Sequence, residues 1–427
     1  MNRESGIGNR GARLDLRRLP APLRRAIREA RRLARRRQTS LHAVGGAVRD
    51  LLLRRPVSEV DLVVDADAAA FAQELAAALG ASVRRHERFG TASMSLPGGE
   101  QVDIATRRRE RYARPGALPE VEPGTLVEDL ARRDFSVNAM ALELLSRPPK
   151  RIDPLGGARD LAARRLRLLH RDSATDDPTR GFRAARYGSR LGFRIEPQSA
   201  RWIREAASAG ALATISGDRI RRELEKIFAE PRAGRAIASL ERLGLLRALH
   251  PSLSADAAAR RRVDAAALIA ANRGAPLFPS VLLAWISTLS PRSVAGIAGR
   301  LGLTGDAARR LAQFPGRRRA LRLALERRAP SRIDAWLGQA RPEEVAAALA
   351  GLSPGDRRRV MRAQRLRATM KAGVSGGEIV AAGVPPGPWI ARALAAARAA
   401  RLDGRITAGE EKDYAIATAR RRSSGRR

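Results

Sequence analysis

The chain has 427 residues, of which 44% are hydrophobic and 30% charged, enough apolar material for two or more folded domains and too much for a wholly disordered protein. It has no cysteine, which excludes disulfides and thiolate metal sites. A formal net charge of +38 predicts a nucleic-acid partner, because so basic a surface repels itself until it meets a polyanion; a general bias toward arginine is the competing explanation. No apolar run reaches the roughly 20 residues of a membrane span, so we predict no membrane partner and a cytoplasmic location.

An arginine-rich extension covers residues 1–38. After a loose start, its second half from Leu19 to Arg37 is predicted to form a basic helix with a weak apolar stripe of leucine and isoleucine. The helix either packs on the domain that follows or lies along RNA.

The stretch from Leu41 to Asp65 carries the first chemical signal. Its pattern predicts a strand, a turn at Gly45-Gly46, a helix with Arg49, and a strand with Glu59 and Asp61. Glycines after a strand let the backbone approach a ligand, and the N–H groups of a helix start suit a phosphate. Glu59 and Asp61 share one strand face, roughly 7 Å apart at Cα. Two such acids can hold divalent metal ions for a phosphoryl-type displacement, which predicts nucleotidyl transfer, although either signal alone is often structural.

The next segment is predicted to form a helix that ends at Gly80 and strands over ASVRRHERFGTASMSLP and QVDIAT. Asp103 lies inside the last strand and is either a further catalytic acid or a structural acid among arginines. Residues 107–129 are rich in proline, glycine and charge, so we predict a loop.

Two further motifs combine arginine with aspartate. In ARRDFSVNAMALEL, Arg133 and Asp134 are predicted to begin an apolar helix, where a helix-capping aspartate is the plain structural explanation. In DDPTRGFRAARYGSRLGFRI the charged residues recur every three positions, which places them along one stripe of a helix; they are Asp177, Arg180, Arg183 and Arg186. Paired arginine donors and carboxylate acceptors can imitate the Watson–Crick edge of a base, whereas a solvated, salt-bridged helix is the alternative. From Glu196 onward the pattern is helical throughout.

These motifs resemble those of the polymerase-β-like nucleotidyltransferases. VGGAVRDLLL, EVDLVV, ARRDFSVNA and DDPTRGFR together resemble the class II tRNA nucleotidyltransferase and bacterial poly(A) polymerase family. The resemblance implies an α+β fold, in which a nucleotidyltransferase head with a mixed sheet and helices precedes an all-α neck, body and tail. We accordingly divide the chain into a basic extension (1–38), the catalytic head (39–150), a neck for base recognition and RNA binding (151–255), a tRNA-binding body and tail (256–416), and a disordered basic tail (417–427).

The resemblance also implies roles for single residues. Glu59 and Asp61 would bind Mg²⁺, or alternatively Mn²⁺, and Asp103 is a candidate third catalytic acid. The residues implied to bind the nucleotide are Gly45, Gly46, Arg49, Arg133, Asp134, Asp177, Arg180, Arg183 and Arg186. Within this set, Arg133 is expected at the phosphates, Asp134 at the ribose hydroxyl, and Asp177 with Arg180 at the incoming base.

Other parts of the chain also acquire expected roles from the resemblance. The loop at 107–129 is expected to take part in switching between nucleotides, and Asp160 to contact the head. Two positions depart from the family pattern: Glu59 stands where aspartate is usual and Asp176 where glutamate is usual.

We therefore predict a template-independent tRNA nucleotidyltransferase that adds CMP and/or AMP, from CTP and ATP, to the tRNA 3′ end. The terminal hydroxyl would attack the α-phosphate and release pyrophosphate. One alternative is a poly(A) polymerase, although DLVVDADAAAFA replaces the TTNATP-like segment usual there. The other is a non-catalytic RNA-binding protein in which Glu59 marks a decayed site. CCA-, CC- and A-adding enzymes would share the same base-recognition motif, so the sequence leaves all three open.

Overall fold

The computed structural model describes residues 15–86 and 90–424, and these residues form two units. The first contains the described residues up to Glu223 together with Ser239–Ala248. The second contains Leu224–Ala238 and the described residues from Leu249 onward. Within the described ranges, every helix is too short or too polar to cross a membrane.

A mixed sheet underlies the first unit. The strands are β1 (Leu41–Val44), β2 (Glu59–Val64), β3 (Ser82–His86), β4 (Thr91–Ser95), β5 (Gln101–Thr106), β6 (Arg108–Arg111), β7 (Glu120–Pro123), β8 (Ala141–Glu143), β9 (Lys150–Ile152), β10 (Arg165–Leu166) and β11 (Arg194–Ile195). Seven of them form one sheet in the order β3-β4-β5-β2-β1-β8-β9, in which β2 and β5 are parallel and the other neighbours antiparallel. The predicted mixed-sheet head is confirmed.

Helices cover this sheet and then continue to the end of the described chain. They are α1 (Ala21–Arg36), α2 (Gly46–Leu52), α3 (Ala68–Leu79), α4 (Leu126–Ala131), α5 (Gly157–Ala162), α6 (Ser173–Asp176), α7 (Thr179–Leu191), α8 (Pro197–Ser208), α9 (Gly217–Phe228), α10 (Ala233–Arg242), α11 (Leu245–Leu249), α12 (Ala257–Arg273), α13 (Leu277–Ile286), α14 (Pro291–Arg300), α15 (Gly305–Glu326), α16 (Pro330–Gln339), α17 (Pro342–Ala350), α18 (Pro354–Thr369), α19 (Gly376–Ala381), α20 (Pro388–Leu402) and α21 (Glu411–Ser424). The predicted helical second half is confirmed. The functional boundaries at residues 150 and 255 stay predictions.

The basic helix α1 packs on the head, as the first of the two alternatives predicted. Its apolar stripe, including Leu23, Ile27 and Leu33, is buried. Arg31 donates hydrogen bonds to the backbone carbonyls of Leu144 and Ser146, just beyond β8. The loose start predicted before this helix falls largely on residues 1–14, outside the described residues.

The prediction of a loop over 107–129 is wrong for most of its length. Strands β6 and β7 pair as a hairpin, and α4 follows with a capping box between Thr125 and Glu128. The irregular part is the hairpin tip, where Gly116 donates its N–H to the Asp176 carbonyl at 3.1 Å and accepts from Arg219 Nη1 at 2.7 Å. The segment is therefore tied to the base of α7.

Two helix predictions also need correction. After Asp134 the chain forms a short 3₁₀ turn over Ser136–Asn138 and then strand β8, not an apolar helix. At the other end, α21 runs to Ser424, so the prediction of a disordered tail from residue 417 is wrong for residues 417–424.

Asp160 on α5 ties the helix and the following strand to the head. Its Oδ2 accepts from Ser136 Oγ at 2.6 Å and from Arg167 Nε at 2.7 Å, and its Oδ1 accepts from Arg165 Nε at 2.9 Å. Because Ser136 belongs to the turn after Asp134, the expected contact between Asp160 and the head is confirmed. Burial alone would raise the pKa of Asp160, but these hydrogen bonds hold the pKa below its ordinary value.

Replacing Asp160 tests this connection. We expect Asp160→Asn to lower the free energy of unfolding at pH 7 by about 2–3 kcal/mol, because charge-assisted hydrogen bonds are lost. A carboxylate with a lowered pKa stabilises the fold above its ordinary pKa and loses that contribution as the pH falls through the lowered value. The difference in free energy of unfolding between wild type and variant, measured by urea unfolding, should therefore decrease below about pH 4. Asp218→Asn, at a side chain that is 59% exposed, is the control; an equal effect there would contradict the assignment.

Candidate active site

Three carboxylates share one face of the central sheet. In the parallel pair β2 and β5, Asp61 lies opposite Asp103, and Glu59 lies two residues before Asp61 on the same face. The structure thus brings Asp103 beside Asp61. Burial raises the pKa of Asp61 to about 6; Asp103 and Glu59 add to the rise, and Arg133 and Arg183 oppose it.

This donor set fits a magnesium ion that shares its coordination with a substrate. Within residues 15–86 and 90–424, no three His, Cys, Asp or Glu side chains are placed to hold a metal ion by themselves. Mg²⁺, however, is commonly held by one or two carboxylates together with waters and substrate phosphates. Burial disfavours the charged form of Asp61 and raises its pKa, so a nearby cation would favour the carboxylate. Glu59 and Asp61 therefore suit a divalent cation delivered with a triphosphate.

Gly45 opens the space between this acidic face and an arginine. It joins β1 to α2 with φ of +73°, a backbone conformation that favours glycine. A Cβ at this position would lie 2.7 Å from Arg133 Nη1 and 3.1 Å from Asp61 Oδ2. At Gly46 the nearest atom to such a Cβ, Arg49 Nη2, is 3.6 Å away. The sharper steric requirement thus falls on Gly45.

Arg133 is held over Gly45 by an acid behind it. Its Nη2 donates to Asp129 Oδ2 at 3.1 Å, and Asp129 is fully buried and also accepts from Arg132 Nη2 at 2.7 Å. The buried Nε of Arg133 has no hydrogen-bond partner among the described residues. With Nη2 anchored, the other terminal nitrogen, Nη1, lies beside Gly45, where a guanidinium donor suits a phosphate.

Asp134 orients a second arginine. Its Oδ1 accepts from the Phe135 N–H and from Asn138 Nδ2, each at 2.8 Å. Its Oδ2 accepts from Arg183 Nε at 2.8 Å and Nη2 at 2.7 Å. Burial opposes ionisation of Asp134, but the charge of Arg183 and these hydrogen bonds keep its pKa below the ordinary value. Because a carboxylate offers about four acceptor positions, a ribose hydroxyl would have to replace one of these donors.

Arg49 is buried beneath the same network. It donates from Nε and Nη2 to Asp50 at 2.9 and 2.8 Å, and from Nη1 to Asn138 Oδ1 at 2.6 Å. Only 3% of its surface is exposed. Asn138 therefore bridges Arg49 and Asp134, and the described contacts of Arg49 are structural.

The residues expected to read the base occupy different environments. Asp177 precedes α7, in extended backbone before Pro178, so it does not continue the helical stripe of arginines. Its Oδ1 accepts from Thr179 Oγ1 at 2.7 Å and Arg219 Nη2 at 2.8 Å. Arg180 is buried and donates to the Arg132 carbonyl at 2.7 Å and Ser173 Oγ at 3.1 Å. Their pairing with a base stays a prediction.

Sequence reasoning missed several residues that hold this site together. Asn138, Asp129, Tyr187 and Arg219 each contact a candidate residue. Three of these pairs are spaced four apart on the chain, Asn138 with Asp134, Asp129 with Arg133, and Tyr187 with Arg183. Spacing could have indicated them, whereas Arg219 is 42 residues from Asp177 and carries no local signal.

Two family models match parts of this chain. Residues 41–167 match the model of the poly(A) polymerase head domain, and residues 192–256 match that of a probable RNA- and SrmB-binding site of polymerase A. A CC-adding tRNA nucleotidyltransferase of Deinococcus radiodurans is 35% identical over 88% of this chain and 89% of its own length. The chain belongs to the tRNA nucleotidyltransferase family.

Other relatives of the family match in part. A-adding tRNA nucleotidyltransferases of Geobacter sulfurreducens and Halalkalibacterium halodurans are each 40% identical over 56% and 51% of this chain. The matches span 27% and 52% of those relatives, so the chain aligns with about half of their length or less.

Solved structures of the family resemble nearly the whole chain. A CCA-adding enzyme in its apo form II aligns with a TM-score of 0.83 and 29% identity, over 94% of this chain and 97% of that one. The CCA-adding enzyme of Thermotoga maritima in complex with tRNA aligns with a TM-score of 0.77 and 28% identity, over 94% and 96% of the two chains.

The space at Gly45 gives a test of the site. We expect Gly45→Ala to weaken ATP binding about tenfold or more in titration calorimetry, because the new Cβ displaces Arg133 from Asp61 and a displacement near 1 Å is costly in such sites. Gly80→Ala is a matched control, since Gly80 has φ of +65° but no atom of the described residues lies within 4 Å of its added Cβ. Both variants carry similar backbone strain. Equal loss of ATP affinity in both would show that strain, not the contact with Arg133, is responsible.

Proposed function

We propose that this protein is a template-independent tRNA nucleotidyltransferase that transfers CMP and/or AMP from CTP and ATP to the 3′ end of tRNA. The observation that carries the proposal is the position of Asp61, between the strand acids Glu59 and Asp103 and the guanidinium of Arg133 above Gly45. The match to the Deinococcus radiodurans CC-adding enzyme over most of both chains supports tRNA as the substrate. With these substrates, we place the protein in the cytoplasm.

Each residue of the site has its own role in the transfer. Glu59 and Asp61 would hold Mg²⁺, or Mn²⁺ in its place, which when bound supplies charge compensation and Lewis-acid activation at the phosphates. Arg133 and Arg183 hold the triphosphate in line with the attacking RNA hydroxyl. That oxygen bonds to the α-phosphorus as the bond to the bridging oxygen breaks, and pyrophosphate leaves with the electron pair. Asp103, exposed beside Asp61, accepts the hydroxyl proton.

Labelled nucleotide incorporation tests the proposal. With tRNA transcripts that end before CCA, after C and after CC, we expect CTP and ATP to be incorporated and extension to stop at CCA. Addition of CMP alone, or of AMP only after CC, assigns a CC- or an A-adding enzyme. Asp61→Asn should abolish incorporation and leave tRNA affinity within about twofold, since its reach is unchanged but its charge is lost. Unlimited AMP addition to any RNA would favour the poly(A) polymerase alternative, and no incorporation with either metal would favour the RNA-binding one.

A surface of the second unit supports RNA binding. We call it the arginine surface; its centre consists of Arg262 on α12, Arg318 and Arg322 on α15, and the turn Gly351–Ser353. Three concavities of about 700, 430 and 550 Å³ adjoin one another there. The first and second share Arg322, the first and third share Arg318, and the second and third share the turn. The guanidinium of Arg318 covers Gly351, where an added Cβ would lie 3.3 Å from its Nη2.

The arginine surface differs in its ion pairing from two buried acids of the same unit. The buried acid Glu344 pairs with Arg310 and Arg317, and the buried acid Asp334 with Arg367 and Arg398. By contrast, the three arginines of the arginine surface form no ion pair within the described part of the chain. Burial, and then the charges of Arg262 and Arg322, lower the pKa of Arg318. Glu326 also lines two of the concavities, but converging arginines that form no ion pair suit the phosphate backbone of RNA.

The salt dependence of tRNA binding tests this surface. We expect Arg318→Ala to make the slope of log K against log salt shallower by about 1, because one phosphate contact is lost. Arg309→Ala is the control, because it removes the same residue type and charge from the same helix. Arg309 lies 3.7 Å from Asp306 and is 65% exposed, so the salt dependence of tRNA binding should not change in this variant. Identical salt slopes for both variants would contradict the assignment of the arginine surface to RNA binding.

A further inference from the structure

One aromatic ring in the first unit is surrounded by arginines. The guanidinium carbons of Arg49, Arg183 and Arg186 lie 5.2, 5.5 and 4.7 Å from the ring centre of Tyr187. The Tyr187 hydroxyl accepts a hydrogen bond from Arg183 Nη2 at 3.3 Å, and the ring packs edge-to-face on Phe135 at 6.0 Å. Only 9% of the tyrosine is exposed. The ring therefore serves as a shared contact for three cations.

Three positive charges in so small a volume repel one another, and the surrounding acids compensate them one at a time. Asp50 pairs with Arg49, Asp134 with Arg183, and Glu223 lies 3.9 Å from Arg186. These acids come from different segments, so they fix each arginine separately. The face of an aromatic ring attracts cations through its quadrupole, most strongly where water is excluded. Tyr187 is thus the element of the cluster that all three arginines share.

Arg49 and Arg183 differ in their access to a ligand. Arg49 is buried, and all three of its guanidinium nitrogens donate to Asp50 or Asn138, so it supports the ring from the α2 side. The Arg183 side chain is 29% exposed, and its Nη1 has no hydrogen-bond partner within the described residues. Arg183 therefore presents a donor edge to solvent while its other edge is fixed by Asp134 and the tyrosine hydroxyl.

We propose that Tyr187 is a positioning residue, which aligns Arg183 and Arg186 against the buried Arg49 as a preformed receptor for the phosphates of the incoming nucleotide. The inference rests on the proposed function, since it assigns the nucleotide triphosphate as the ligand of this cluster. The tyrosine does not contact the ligand itself. Its ring holds the guanidinium groups at their working positions before binding, which reduces the ordering cost that each phosphate contact would otherwise carry.

The test compares ATP with AMP. In our proposal Tyr187 acts through arginines that bind the β- and γ-phosphates, which AMP lacks. We expect Tyr187→Leu to weaken ATP binding about tenfold and AMP binding less than twofold in calorimetry. The dissociation constant for AMP divided by that for ATP should therefore fall. Tyr187→Phe keeps the ring and should stay within about threefold of wild type for ATP. In steady-state incorporation, Tyr187→Leu should raise the KM for CTP or ATP and leave the KM for tRNA unchanged.

Two further variants separate positioning from general destabilisation. Phe182→Leu truncates another fully buried aromatic on α7 and should lower the melting temperature without changing the ratio of ATP to AMP affinity. Tyr187→Met fills more of the space with an unbranched side chain that lacks a ring; it should lose ATP affinity about tenfold and AMP affinity less than twofold, and it replaces Tyr187→Leu in the test if the leucine variant fails to fold.

The outcomes are distinguishable from those that test the enzyme assignment. If wild-type protein binds neither ATP nor CTP, the proposed function fails. If wild type binds ATP and the ring-less variants bind ATP equally well, or lose ATP and AMP affinity in equal proportion, the positioning role of Tyr187 is overturned while the enzyme assignment stands. A loss in Tyr187→Phe as large as that in the ring-less variants would also overturn it, since the hydroxyl would then be the active group.

Discussion

The buried carboxylate of Asp134 is the constraint on which the arrangement of the candidate site depends. A charge removed from water must be matched by donors, and here the Phe135 N–H, Asn138 and Arg183 occupy its four acceptor positions. Meeting that requirement fixes the 3₁₀ turn after Asp134, brings α7 against the head through Arg183, and orients Asn138 so that its other end holds Arg49. One ionised group thereby specifies the relation of three segments that are far apart in the chain.

The acidic face of the sheet and the arginine surface differ in the sign of their local charge. On the sheet, burial and neighbouring acids leave Asp61 with a pKa raised to about 6, a site short of positive charge despite the nearby Arg133. On the arginine surface, Arg318 lies among Arg262 and Arg322, and burial with their charges lowers its pKa. Elsewhere in the second unit, buried acids such as Glu344 are fully paired. Both places therefore suit a ligand of opposite charge, a divalent metal with a triphosphate on the sheet and a polyanion on the arginine surface.

Much of the first unit could be predicted because its signals are local. The strand–glycine–helix–strand order around Gly45 follows from periodicity and turn chemistry, and the structure reproduces it. The hairpin at β6 and β7 was missed because it is stabilised by cross-strand charge pairs such as Arg109 with Glu122, which leave no apolar alternation to detect. The contact of Arg219 with Asp177 joins residues 42 positions apart, so periodicity gives no indication of it. Asp177 left the helix because Pro178 restricts its backbone to extended conformations.

The two departures from the family pattern fall at an exposed and a partly exposed position. Glu59 is exposed at the first residue of β2, opposite Gln101, so an extra methylene has room there. Asp61 is more enclosed and faces Gly45 so closely that even a methyl group on the glycine would crowd it. At Asp176 the observed contact to the hairpin tip is made by the backbone carbonyl, which any residue supplies. Because each substitution keeps a carboxylate, the candidate site retains a negative charge at both positions.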